Sequence, residues 1–141
     1  VTCYTTPPVP ASAGLSRDEG LRLLGTVGLG RIVFISRARP AIRLVAHTMD
    51  GDHLLVGVRH EPEIASALSS SGLSLVVYEA DAVDPATRQG WSVVASGRAG
   101  LVEDEDELAA ALERLRPWPG ERVDLVLRIR PELISGFHTG G

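Results

Sequence analysis

The chain of 141 residues contains no lysine, no asparagine and one cysteine, Cys3. A single thiol excludes an internal disulfide and suits a reducing compartment, and no Cys/His spacing resembles a zinc motif, so no metal is expected. Without lysine there is no side-chain amine for Schiff-base chemistry. No apolar run approaches the ~20 residues that a membrane helix needs. The N-terminus lacks the basic region and continuous apolar stretch of a secretory signal, so a cytoplasmic protein with no membrane partner is expected. All 14 strongly basic residues are arginines, set against 18 acidic ones for a net charge of −4. They are scattered rather than striped, which argues against a nucleic-acid partner. No P-loop, G-x-S-x-G elbow or H-E-x-x-H motif occurs. Gly25-x-x-Gly28-x-Gly30 follows a helical pattern and precedes a strand pattern, the reverse of a dinucleotide fingerprint, and reads as helix termination.

Hydrophobic residues make up 44% and charged residues 23%, as in an ordinary globular domain. One domain over residues 15–141 is expected, behind an arm over 1–14 that carries Pro7, Pro8 and Pro10 and has little to bury. Ser16-x-x-Glu19 is a capping box, and Leu21, Leu24 and Val27 continue at helical spacing, predicting a helix over 17–25. Strand signals occupy 31–36, 41–49 and 53–58. Asp50-Gly51 reads as a type I′ turn that pairs Met49 with Asp52, Thr48 with His53 and His47 with Leu54. In that register His47 and His53 point to opposite faces, which counts against a two-histidine metal site. A helix over 61–71 has Pro62 in its first turn, and strands follow over 73–80 and 90–103. A helix begins behind Asp104, acidic at its start and basic at its end, as the helix dipole favours. Pro117 to Gly120 ends it, and a last strand spans 123–129 before Pro131. Tight turns between adjacent strands argue for an antiparallel sheet, and six strands with few free edges suggest closure into a small barrel.

Several stretches carry a resemblance. Gly30-Arg31-Ile32 opens the first strand and Asp81 precedes the Asp81–Gln89 loop. Gly90-Trp91-Ser92-Val93, Gly97-Arg98-Ala99 and Arg116-Pro117-Trp118 follow. Jointly they resemble the split-barrel flavin-binding proteins related to pyridoxamine 5′-phosphate oxidase, in particular the oxidase-like and nitroimidazole-resistance-like proteins of actinobacteria. The resemblance implies a mainly β fold with short helices, a six-stranded antiparallel split barrel. It also implies a homodimer with FMN in the cleft between two barrels and oxidoreductase chemistry on a small-molecule substrate. Where such proteins hold the FMN phosphate with Arg-Thr and a later Lys, this chain has Gly57, Val58 and Glu63, with Arg59 and His60 just beyond. Where they show Pro-Val-Asn-Tyr beside the ring, it has Leu44-Val45-Ala46-His47. The cofactor contacts implied are Val45, Ala46, Arg59, His60 and Trp91.

His47 and His60 are the candidates for proton transfer, because imidazole titrates near neutral pH. For His47 the alternative is a structural histidine, and for Trp91 an interface or core anchor. The changed phosphate-holding residue types keep two further functions open. One is a flavin-free enzyme catalysing a redox-neutral isomerisation or cyclisation. The other is a non-catalytic module that binds a flavin or the deazaflavin F420.

Overall fold

The computed structural model describes residues 12–69 and 74–139. Its elements in chain order are β1 (Ser12–Gly14), α1 (Arg17–Leu24), β2 (Leu29–Ser36), β3 (Arg39–Asp50), β4 (His53–Val58), α2 (Pro62–Ser69), β5 (Ser74–Val83), β6 (Gly90–Leu101), α3 (Glu105–Arg114) and β7 (Leu125–Thr139). The sheet runs β7-β4-β3-β2-β5-β6 and closes through β6–β7, giving a six-stranded antiparallel barrel. β1 pairs with the far end of β7, Gly14 opposite Phe137. Thus three residues of the expected arm belong to the sheet, and residues 1–11 lie outside the described residues.

Two apolar layers hold the barrel. Residues alternate along each strand, so one set fills the lumen: Ile32, Phe34, Val45, Val56, Val76, Tyr78, Val93 and Ile129, all nearly inaccessible. Leu24, at the end of α1, joins that cluster. The alternate set on β3, β4 and β7 contributes Ala46, Leu55 and Val126 outside the wall, where Ala111 of α3 and Leu115 cover them. The expected capping box forms, and Asp104 caps α3. The Glu19 N–H donates to Ser16 Oγ at 3.2 Å and the Glu107 N–H to Asp104 Oδ2 at 2.9 Å. None of the described helices is long and apolar enough to cross a membrane.

The structure corrects two readings of the strands. In the β3–β4 hairpin Asp50 pairs with His53, Met49 with Leu54 and His47 with Val56, so the turn is Gly51-Asp52. Gly51 takes φ 58° while Asp52 is not among the positive-φ residues, which matches a II′ turn with glycine first and not a I′ turn. The slip moves each partner by two, so His47 and His53 still face opposite ways. Consecutive positive φ occurs instead at Arg37 (52°) and Ala38 (64°), between β2 and β3. The last strand also does not stop at Pro131. It continues to Thr139 through a bulge, with Gly97 opposite Pro131 and Ser96 opposite Leu133, leaving Glu132 as the extra residue. A bulge is one of the few places where a strand accommodates proline, which has no N–H to donate.

Candidate functional site

β3 is paired on one side only along part of its length. Its register with β2 extends to Ser36–Arg39, but with β4 it ends at Ala46–Gly57. Beyond that point the chain turns away into α2, and among the described residues no strand covers the β3 edge over 39–45. The opening is lined by Arg43, Leu44, Val45 and Ala46 of β3, Arg59 and Glu61 beyond β4, Ile64 of α2, and the Pro117–Val123 segment including Trp118. Gly57 makes room for that segment, since a Cβ there would lie 2.9 Å from Val123 and 3.1 Å from Leu115. The enclosed volume is about 60 Å³, far below that of a pocket able to bury a cofactor by itself.

Three guanidinium groups border this cleft, each held by carboxylates. Arg43 lies 5.8 Å from the Phe34 ring centroid. It donates from Nε to Glu61 at 2.7 Å and from a terminal nitrogen to Glu63 at 2.5 Å. The Glu61 hydrogen bond, more than that of Glu63, pushes its pKa further up. Arg59 pairs with Glu121 at 2.7 Å and Arg122 with Asp124 at 2.9 Å. The His60 backbone N–H, first, and Arg122 hold the Asp124 carboxyl below its usual range. Glu63, which stands where the resemblance implies a phosphate-holding lysine, is thus paired with Arg43.

Of the expected cofactor contacts, Val45, Ala46 and Arg59 line one cleft. His60 is exposed, with its backbone N–H 2.9 Å from Asp124 Oδ2, and is not among the lining residues. Trp91 lies elsewhere on β6, opposite Ala82 and His138 and packed on the lumen cluster. Sequence reasoning passed over Arg43, Glu61, Glu121 and Arg122, and treated Trp118 only as part of a motif. Arg43 carried a usable signal, since period two puts it on the same side of its strand as Val45.

His47 is 3% exposed. Its Nε2 is 2.8 Å from the Leu24 carbonyl oxygen, and its Nδ1 meets the Tyr78 hydroxyl. A carbonyl only accepts, so Nε2 carries the proton and Nδ1 accepts from Tyr78. Burial lowers the His47 pKa, only partly opposed by the Leu24 carbonyl, and keeps the ring neutral at pH 7. Both ring nitrogens are thus engaged within the core, and His47 does not line the cleft. Gly30 makes room for the pair, because a Cβ there would lie 2.4 Å from the Tyr78 oxygen.

The family model for pyridoxamine 5′-phosphate oxidase matches residues 16–138. The chain belongs to the pyridoxamine 5′-phosphate oxidase family. A family member of uncharacterised function from Mycobacterium tuberculosis is 40% identical over 125 residues, 87% of this chain and 82% of the relative. Among solved structures of this fold, an FAD-binding protein of Mycobacterium smegmatis superposes with a TM-score of 0.71 at 29% identity, over 91% of this chain and 99% of that one. A candidate pyridoxamine 5′-phosphate oxidase of Corynebacterium glutamicum gives 0.74 at 27% identity, over 92% and 93%. The split-barrel assignment thus stands on both the sheet order and the family match.

Proposed function

We propose that this chain binds a flavin, FMN in the first instance, and acts as an oxidoreductase on a small molecule in the form of a homodimer. The observation that carries the reading is the open β3 edge beside three guanidinium groups. The edge and its apolar neighbours Leu44, Val45 and Ala46 suit a flat ring system, and guanidinium is a capable phosphate ligand. The residues fit the cofactor in kind: Arg59, 56% exposed, would take a phosphate in exchange for Glu121. A bound flavin would supply the electron transfer, while Val45, Ala46, Arg43 and Arg59 bind and orient it.

The small enclosed volume supports the homodimer. A second surface has to close the cleft, and the outer barrel wall beside it is apolar. Ile35, Ile42, Leu44 and Leu75 point outward there with 49–66% of their surface exposed, and Leu44 also lines the cleft. Such a contiguous apolar patch beside a cleft marks an interaction surface. A second copy seated on it covers the opening and brings its own residues, Trp91 among the candidates, within reach.

Titration of the purified protein with FMN, read by flavin fluorescence and by sedimentation, tests the reading. Quenching that saturates at one flavin per chain on a dimer is expected. Colourless protein that leaves FMN fluorescence unchanged while remaining dimeric would overturn the flavin assignment. Uptake of F420 in its place would change the cofactor but keep the cleft. FMN binding by a stable monomer would overturn the shared-cleft arrangement.

A further inference from the structure

Arg98 of β6 and Arg130 of β7 are directly opposed across the strand pair, both on the exposed outer face, and Arg128 follows two residues along on that same face. Like charges set opposite each other weaken a sheet, so the arrangement calls for a counterion. The chain supplies carboxylates nearby but few close contacts. Arg98 lies 3.7 Å from Glu132 and Arg128 3.6 Å from Glu107, both beyond hydrogen-bond length. Only Arg128 is firmly held, by Asp50 at 2.8 Å. Among the described residues the Arg130 guanidinium has no hydrogen-bond or ion-pair partner.

The backbone holds these groups in place. A Cβ at Gly97 would lie 1.9 Å from the Arg130 carbonyl oxygen, so only glycine allows the strands to approach this closely. The bulge at Glu132 fixes the register immediately beyond. Arg98, Arg128 and Arg130 line a groove of about 290 Å³ together with Gly100, Leu101 and Val102. Its residues are none of those bordering the β3 cleft. Glu103, Glu107 and Glu132 also line it, so the lining charges balance three against three. With no net field to gather a polyanion, binding has to come from direct guanidinium hydrogen bonds, which suit a compact oxyanion.

We propose that this groove is a second ligand site, in which Arg98 and Arg130 jointly hold the phosphate or diphosphate group of a small molecule. The proposal does not depend on flavin binding at the β3 cleft. A phosphate here could belong to a free metabolite or to the tail of a cofactor.

The test is a titration of the full chain with pyrophosphate at constant ionic strength, read by nitrogen–proton NMR at the Gly100 amide and the arginine Nε–H groups. Saturable shifts at Gly100, Arg98 and Arg130 are expected. Arg130→Gln should weaken binding about tenfold or more, as loss of a charge-assisted contact predicts, while Arg59→Gln leaves it unchanged. A parallel FMN titration that moves the same signals assigns the phosphate to a cofactor tail, and FMN without effect on them assigns it to a separate metabolite. Absence of saturable shifts, or equal shifts in Arg130→Gln of unchanged circular dichroism, would overturn the proposal.

Discussion

Arg43 and His47 stand four residues apart on the same side of β3, yet the strand treats them in opposite ways. At His47 the β4 neighbour is present, with Val56 paired to it, and Tyr78 reaches it from β5. Each ring nitrogen has one fixed partner, and no described buried side-chain polar atom is left unpaired. At Arg43 the β4 neighbour has gone, and the guanidinium meets acids that arrive with α2. Closed, the barrel uses a polar group to specify its core. Open, it leaves charged groups where an incoming anion can exchange with their partners. A strand that loses one neighbour partway along thus has a closed, paired end and an open edge at the other.

The largest expected effect tests the closed end. Tyr78→Phe removes the donor to His47 Nδ1 without opening a large cavity and should cost about 1–3 kcal/mol in denaturant unfolding, the usual cost of a buried polar atom left alone. An unchanged midpoint would mean that the contact specifies nothing.

The same ring makes stability depend on pH. The folded pKa of His47 lies below the ordinary 6.5, with burial as the main cause. As pH falls past 6.5 the unfolded chain takes up a proton that the folded chain refuses, so this contribution is complete above that pH and is lost below it. The slope is at most about 1.4 kcal/mol per pH unit. Comparing unfolding midpoints at pH 7.5 and 5.5 for the parent and for His47→Gln checks the sign, because the variant should lose the extra acid sensitivity.

At the open end the expected effects are on ligand affinity. Arg59→Gln should weaken FMN binding about tenfold. Glu121→Gln, which releases Arg59 from a half-exposed pair, should tighten it by at most a few-fold. If both substitutions weaken binding, Glu121 orients Arg59 instead of competing with the phosphate. The smallest effect concerns the bare pair: Arg98→Gln removes a cross-strand repulsion and should raise stability by about 0.2–1 kcal/mol in thermal unfolding.

Much of the fold was legible because local chemistry and tertiary environment agree. The Ser16–Glu19 box and Asp104 start helices where their side chains find free N–H groups, and α1 and α3 lie within a residue or so of expectation. The hairpin slipped because Asp-Gly and Gly-Asp both make two-residue turns, and only pairing on both flanks chooses between them. Pro131 was read as a strand end because a missing donor is visible in sequence, whereas the bulge that accommodates it depends on β6. Val45, Ala46 and Arg59, which line the cleft, were named through the resemblance. Arg43 and Glu121 were not, since their ion pairs join separate segments of chain.

The order of residues alone determined an antiparallel, mainly β chain with capped helices, since capping and two-residue periodicity act over a few positions. Only the tertiary structure decided which polar groups became core and which stayed available. That depends on where β4 parts from β3 and where Gly97 lets β6 touch β7, contacts between segments far apart along the chain.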